Sequence, residues 1–229
     1  MSKNILITGC SSGLGLALTN LYLEKGFTVY GISRNKPNIE NNNFIFKSCD
    51  LSNIPLIKKE LSTFLTEIKT FDLVYLNAGM LGEIKASVDI SIDELKEVYE
   101  LNVYANKEIL DILSLMKVKT VIAISSGASK NGSKGWASYS LSKAGVNMLI
   151  NLYSKEMTNT KLFAIAPGVI ETPMTDYIRF EIDDEIYTSA KRLKEGEIQT
   201  ACDAALRLDN TIDKLNGFES GSFLDVRNI

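Results

Sequence analysis

Tyr139 and Lys143 stand four residues apart in the stretch YSLSK, so on a helix they share one face. A free tyrosine titrates at about pH 10 and carries protons poorly near neutrality, while a neighbouring ammonium favours its phenolate. The pair therefore has two readings: a solvated surface pair, or a phenol and a cation set together for acid–base work. The chain contains no histidine. That excludes Ser-His-Asp and Cys-His triads, HExxH zinc sites and any imidazole base. Proton chemistry is left to Tyr, Lys, Ser, Asp or Glu.

A second group could hold an anion. The stretch TGCSSGLG spaces Gly9, Gly13 and Gly15 as G-x-x-x-G-x-G between an apolar run and a helical pattern. Glycines in a strand-to-helix turn let the backbone of Ser11, Ser12 and Leu14 approach a diphosphate, and the helix N-terminus favours its charge. The alternative is a tight turn made for close helix packing. Where NAD sites place a carboxylate to bind the adenine ribose, this chain has Ser33 and Arg34. An arginine can pair with a 2′-phosphate that a carboxylate would repel. NADP(H) is expected over NAD(H), with NAD(H) kept open.

The elements that must position these groups alternate along the chain. Strands are expected at 4–8, 27–33, 43–48, 71–77, 118–125, 161–166 and 221–226, from short apolar runs. Helices are expected at 14–26, 54–68, 91–116 and near 137–157, from apolar residues at helical spacing. Ser91 and Glu94 open the third helix as a capping box. Residues 34–43 form a polar loop. Strands alternating with helices predict one α/β domain over 1–229, a Rossmann-like doubly wound parallel sheet of about seven strands with helices on both faces.

Net charge is −3, with no basic cluster, so neither nucleic acid nor anionic lipid is an expected partner. One lysine before a short apolar run is no secretory leader, and no stretch reaches a membrane span. Cys10, Cys49 and Cys202 have no CxxC spacing, against a disulfide framework or a zinc site. A reduced cytoplasm is the expected location, and no metal is expected.

The chain resembles the compact, single-domain short-chain dehydrogenases/reductases over nearly its full length. TGCSSGLG looks like their cofactor turn, LNAG (76–79) their N-N-A-G motif with Leu76 first, YSLSK their Y-x-x-x-K, and PGVIETPM (167–174) their P-G motif. The resemblance implies cofactor contacts from Asp50 and Leu51, from Asn77, Ala78 and Gly79, and from Pro167, Gly168, Val169 and Thr172. It implies a catalytic set of Asn102, Ser126, Tyr139 and Lys143. Ser126 is chosen over Ser125 because the family's serine usually lies thirteen residues before the tyrosine. Tyr139 would give a proton to a carbonyl oxygen that Ser126 polarises, as the nicotinamide gives its hydride to the carbon. Lys143 would bind the nicotinamide ribose, and Asn102 would hold a water linking Lys143 to solvent.

The segment 173–197 is expected to close over the substrate, with Met80, Trp136, Met174, Tyr177 and Phe180 near it. An apolar or medium-sized carbonyl compound is the expected substrate, and a homo-oligomer, dimer or tetramer, the expected assembly. Arg179 and Arg192 keep an acidic or carrier-bound substrate open. A 3-oxoacyl-carrier-protein reductase would need a basic docking patch, for which Lys130 and Lys134 are candidates. A third reading is an NADP(H)-binding regulatory protein without turnover.

Overall fold

The computed structural model describes residues 3–229. Met1 and Ser2, at the head of the segment judged leaderless, lie outside it. Seven parallel strands form one sheet: β1 (Asn4–Thr8), β2 (Thr28–Ser33), β3 (Phe44–Ser48), β4 (Thr70–Leu76), β5 (Lys117–Ile124), β6 (Lys161–Ala166) and β7 (Phe223–Asp225). Their order is β3-β2-β1-β4-β5-β6-β7. Parallel strands covered on both faces read as continuous apolar runs, and β1, β4 and β5 are buried over most of their lengths. The doubly wound sheet expected from the sequence is the observed one.

Helices α1 (Gly13–Glu24) and α8 (Ala201–Thr211) cover one face. Helices α2 (Ile54–Thr66), α4 (Ala105–Ser114) and α5 (Ala137–Glu156) cover the other. On α2 the residues Ile57, Leu61 and Leu65 recur every four positions and are fully buried. Such burial stabilises by about 1.5–3 kcal/mol per side chain.

The long helix expected over 91–116 is interrupted. Helix α3 (Ile92–Tyr99) opens with the capping box, Ser91 N–H donating to Glu94 Oε2 at 2.8 Å and Glu94 N–H to Ser91 Oγ at 3.2 Å. It then passes through a π turn, Glu100–Tyr104, before α4 begins. The turn is centred on Asn102, whose side chain bonds outside the helix.

The segment 173–197 folds as α6 (Pro173–Phe180) and α7 (Thr188–Glu195). Ile178, Ile182 and Ala190 from this segment pack with Leu81 and Ile84 in a small core of their own. No described helix is long and apolar enough to cross a membrane.

Strand order reverses between β1 and β4. In open α/β sheets, ligands bind outside the carboxyl ends of the strands at such a switch point. The glycine turn leaves β1 there, and Asn77 leaves β4 beside it.

Candidate active site

Thr8 ends β1 and ties its turn to β4. Its Oγ1 accepts from the N–H groups of Asn77 (2.9 Å) and Ala78 (3.0 Å). Asn77 Nδ2 returns bonds to the carbonyls of Thr8 (2.9 Å) and Gly9 (3.3 Å). The turn needs glycine twice over. Gly9 sits at φ +68°, and a Cβ on Gly15 would lie 2.1 Å from the Gly9 carbonyl oxygen. Ser12 stands at the N-cap of α1 but makes no capping bond. The first-turn N–H groups of α1 are thus left uncapped by its side chain, as anion binding requires.

A cleft of about 640 Å³ runs from this turn. Gly9, Ser11, Ser12, Gly13 and Leu14 form one wall, with Ser33, Arg34, Asp50 and Leu51 at that end. Asn77, Ala78, Gly79 and Met80 form the floor beyond. Pro167, Gly168, Val169 and Thr172 face them, and Thr172 Cγ2 lies 3.1 Å from where a Cβ on Gly13 would stand. Ser126, Trp136, Tyr139, Lys143 and Met174 line the same cleft. Gly15 and Asn102 lie behind its surface as supports.

The residues present fit a dinucleotide. Asp50 spends Oδ1 on the Ser52 hydroxyl (2.7 Å) and N–H (3.0 Å). Those bonds hold its carboxyl below the usual range. Arg34 makes no ion pair among the described residues, and Ser33 Oγ donates to the Asn35 carbonyl at 2.8 Å. No group of three or more His, Cys, Asp or Glu side chains able to hold a metal occurs among the described residues.

At the other end the polar groups converge. Lys143 is 5% exposed, and its ammonium donates to the Ile124 carbonyl at 2.8 Å. Burial lowers its pKa to about 8. Its Nζ lies 5.6 Å from the centroid of the Tyr139 ring. Burial raises Tyr139, opposed by a hydrogen bond from Ser126. Here the expectation of a lysine-depressed phenol is corrected: among protein groups alone, desolvation dominates. The phenol stays protonated at neutral pH, the form a proton donor needs.

Two serines competed for the role beside Tyr139. Ser125 is 2% exposed and gives its hydroxyl to Asn147 Oδ1 at 2.6 Å. Ser126 lines the cleft with Tyr139, and its hydroxyl acts to lower the phenol's pKa.

Asn102 is fully buried. Its Oδ1 accepts from Met80 N–H (2.8 Å), and its Nδ2 donates to the Met80 carbonyl (2.8 Å) and to Ser142 Oγ (2.9 Å). Ser142 Oγ donates to the Tyr139 carbonyl at 2.8 Å. The Asn102 side chain is therefore a clamp between the β4 loop and α5. A water held by Asn102 would have to use its main-chain carbonyl, which already accepts from Asn106 Nδ2 at 2.8 Å.

One expectation on the substrate side needs correction. Tyr177 and Phe180 are exposed and do not line the cleft. Met174 and Ile178, one helical turn apart on α6, take the inward face and leave the other two outside. Lys130 and Lys134 lie over the rings of Phe223 and Tyr187, 5.3 and 5.8 Å from their centroids. Arg192 reaches Ser133 Oγ at 3.3 Å, and Arg179 lies over the Phe180 ring.

Sequence reasoning missed Ile178 and Leu193 as lining residues. It also missed Gln199, whose Nε2 donates to the Pro167 carbonyl at 2.6 Å and holds the P-G loop. No local pattern marks Gln199, which acts from 32 residues away. Ser142 was legible in principle: a small polar residue between Tyr139 and Lys143 on a helix.

The chain matches the family model described as short chain dehydrogenase over residues 3–182. It is 32% identical to a benzil reductase ((S)-benzoin forming) of Bacillus subtilis, over 97% of each chain. It is 32% identical to a benzil reductase ((S)-benzoin forming) of Bacillus cereus, over 86% of this chain and 88% of that one. A short chain dehydrogenase family protein of Francisella tularensis superposes with a TM-score of 0.82 at 24% identity, covering 98% of this chain and 97% of the other.

Proposed function

This chain belongs to the short-chain dehydrogenase family, and from that premise we propose that it is an NADP(H)-dependent reductase of uncharged, apolar ketones, with an aryl 1,2-diketone such as benzil as the substrate to try first. The observation that carries the reading is the Tyr139 phenol, facing the Lys143 ammonium and lining one cleft with Ser126, a cleft that continues to the glycine turn.

When bound, a nicotinamide would supply the hydride for the carbonyl carbon. Tyr139 Oη gives a proton to the carbonyl oxygen, and the product is the secondary alcohol. Ser126 holds that oxygen by a donated hydrogen bond as its charge grows. Lys143 holds positive charge beside the phenol and binds the nicotinamide ribose. Asn102 fixes Met80 and α5, and its carbonyl holds the water that resupplies the proton. The glycine turn, Asp50, Asn77, Ala78, Gly79 and the P-G loop through Thr172 hold the cofactor. Arg34, which stands with Ser33 at the end of β2 where NAD sites place a carboxylate, supports NADP(H).

The lid side supports an apolar substrate. Met80, Trp136, Met174, Ile178 and Leu193 carry no charge. That disfavours the 3-oxoacyl-carrier-protein alternative, as does the engagement of Lys130 and Lys134 with aromatic rings. A reducing cytoplasm suits the three free thiols. Pairing of two copies through α5 is the proposed assembly.

The test is NADPH oxidation with benzil, beside NADH and a panel of ketones and β-ketoacyl thioesters. Tyr139→Phe should bind NADPH and lose turnover by about a thousandfold or more. A tenfold preference for NADH would overturn the role of Arg34. Tight cofactor binding with no carbonyl turned over would favour the non-catalytic reading.

A further inference from the structure

Asn147 lies one helical turn beyond Lys143 on α5, so Tyr139, Lys143 and Asn147 recur every four residues along one side of the helix. No motif above uses it. Asparagine in mid-helix is locally unfavourable, because its side chain competes for backbone bonds, and here both ends of the amide bond to another segment. Ser125 Oγ donates to Asn147 Oδ1 at 2.6 Å. Asn147 Nδ2 donates to Ser129 Oγ at 2.8 Å. Ser129 Oγ donates to the Ser126 carbonyl at 2.6 Å.

These bonds run in one direction and brace both ends of the loop that carries Ser126. The loop's own turn adds Ser129 N–H to the Ser126 carbonyl at 3.0 Å, and Ser125 N–H to the Ile165 carbonyl at 2.8 Å. Ala128 N–H donates to Ser126 Oγ at 3.2 Å, which occupies that oxygen as an acceptor and leaves its O–H as the donor. Lys130 and Asn131 N–H groups close the turn on the Gly127 carbonyl at 3.0 and 3.1 Å. A side chain on Gly127 would meet nothing within 4 Å.

We infer that Asn147 is a positioning residue for the reaction: through Ser125 and Ser129 it sets the distance between the Ser126 hydroxyl and the Tyr139 phenol, both referenced to the same helix. The inference rests on the reading of Ser126 and Tyr139 as the pair that meets the carbonyl oxygen. Asn147 touches neither substrate nor cofactor. Its effect passes through Ser126 alone, and that sets it apart from a residue needed only for folding.

The experiment is a double-mutant cycle on the full chain with NADPH and the best ketone found. Asn147→Leu should lower kcat by about ten- to a hundredfold, the scale of a reacting group misplaced by an ångström. The NADPH dissociation constant should stay within about twofold, since the cofactor contacts lie elsewhere. Ser126→Ala should lower kcat at least as much. Adding Asn147→Leu to Ser126→Ala should lower it by less than about twofold further, because residues acting as a unit are non-additive.

Equal, additive losses in the two backgrounds would overturn the inference, as would an unchanged kcat in folded Asn147→Leu. Should Asn147→Leu fail to fold, Ser129→Ala breaks the same chain from the loop side. It should show the same dependence on Ser126, and additivity there would equally overturn the inference. Ser126→Ala with undiminished kcat would instead sink the parent reading of Ser126.

Discussion

Lys143 is a cation folded into the protein with no carboxylate paired to it among the described ion pairs, held by one carbonyl and set beside a phenol. That placement has a thermodynamic cost that can be measured. Its folded pKa of about 8 lies below the ordinary 10.5. A base depressed by burial destabilises the fold fully below its folded pKa, and the penalty disappears as pH rises through 8 towards 10.5. The difference corresponds to about 3 kcal/mol. Lys143→Met removes the penalty and leaves the Ile124 carbonyl without its donor, which costs about 1 kcal/mol. At pH 7 the cofactor-free variant should therefore be more stable than the parent by about 2 kcal/mol, while losing turnover. By pH 10 the advantage should shrink to about zero or reverse. Denaturant unfolding of both proteins at the two pH values checks it; a variant less stable at pH 7 would contradict the buried-cation account. The spacing in YSLSK was enough to place this pair on one helical face. It was not enough to find the sign of the tyrosine's shift, because desolvation depends on what the lid and the β4 loop pack around it.

At the level of elements, the alternation of apolar strands with amphipathic helices was legible because each period is local. The π turn was not. It exists where Asn102 bonds Met80, 22 residues earlier, and Ser142, 40 residues later, and no window of sequence contains all three. Single-turn π bulges occur often at functional sites, and this one turns a mid-helix asparagine into a buried clamp. The lid shows the same limit. Its helices could be expected from charge and apolar spacing, but not which face turns inward. That choice is made by the small core of Leu81, Ile84, Ile178, Ile182 and Ala190, and by two polar contacts, Trp136 Nε1–H donating to Ser189 Oγ at 2.5 Å and Arg192 Nη2 to Ser133 Oγ at 3.3 Å. Trp136 also stacks edge-on with Tyr139, ring centroids 6.0 Å apart. The indole thus links α7 to the reacting phenol. Ser189→Ala should loosen α7 over the cleft without touching the proton path. KM for the ketone should rise about fivefold, with kcat within about twofold, the pattern of lost uniform binding. Steady-state kinetics at saturating NADPH decides it. A fall in kcat at constant KM would mean that Trp136 acts on Tyr139 instead.

For the whole molecule, the reversal of strand order between β1 and β4 brings four distant segments to one edge. They are the glycine turn, the β4 loop, the start of α5 and the P-G loop. Each is recognisable alone in the sequence, and the parallel sheet is what makes them neighbours. The same helix that carries the chemistry inward presents an unpartnered apolar line outward. Lys143, Val146 and Ile150 of α5 are buried. Leu141, Met148 and Leu152 lie 49%, 59% and 54% exposed at spacings of seven and four, on one face. Gly145 lies on that line where Val103 of the π turn packs, and Tyr104 of the same turn is 47% exposed. Single exposed apolar residues are ordinary, but a contiguous set on one element marks an association surface. Two copies meeting about a two-fold axis would set this line against itself, as closed homodimers do. The parent protein should therefore sediment as a dimer or larger at micromolar concentration. Met148→Glu combined with Leu152→Glu would bring like charges together across the axis, at a cost of several kcal/mol, and should yield a monomer. Every residue assigned to the cleft comes from one chain, so the monomer should keep its KM for NADPH within about twofold. A parent protein that sediments as a monomer would remove the surface from consideration. A monomeric variant that no longer binds NADPH would show that α5 needs a second copy to hold Tyr139 and Lys143 in place.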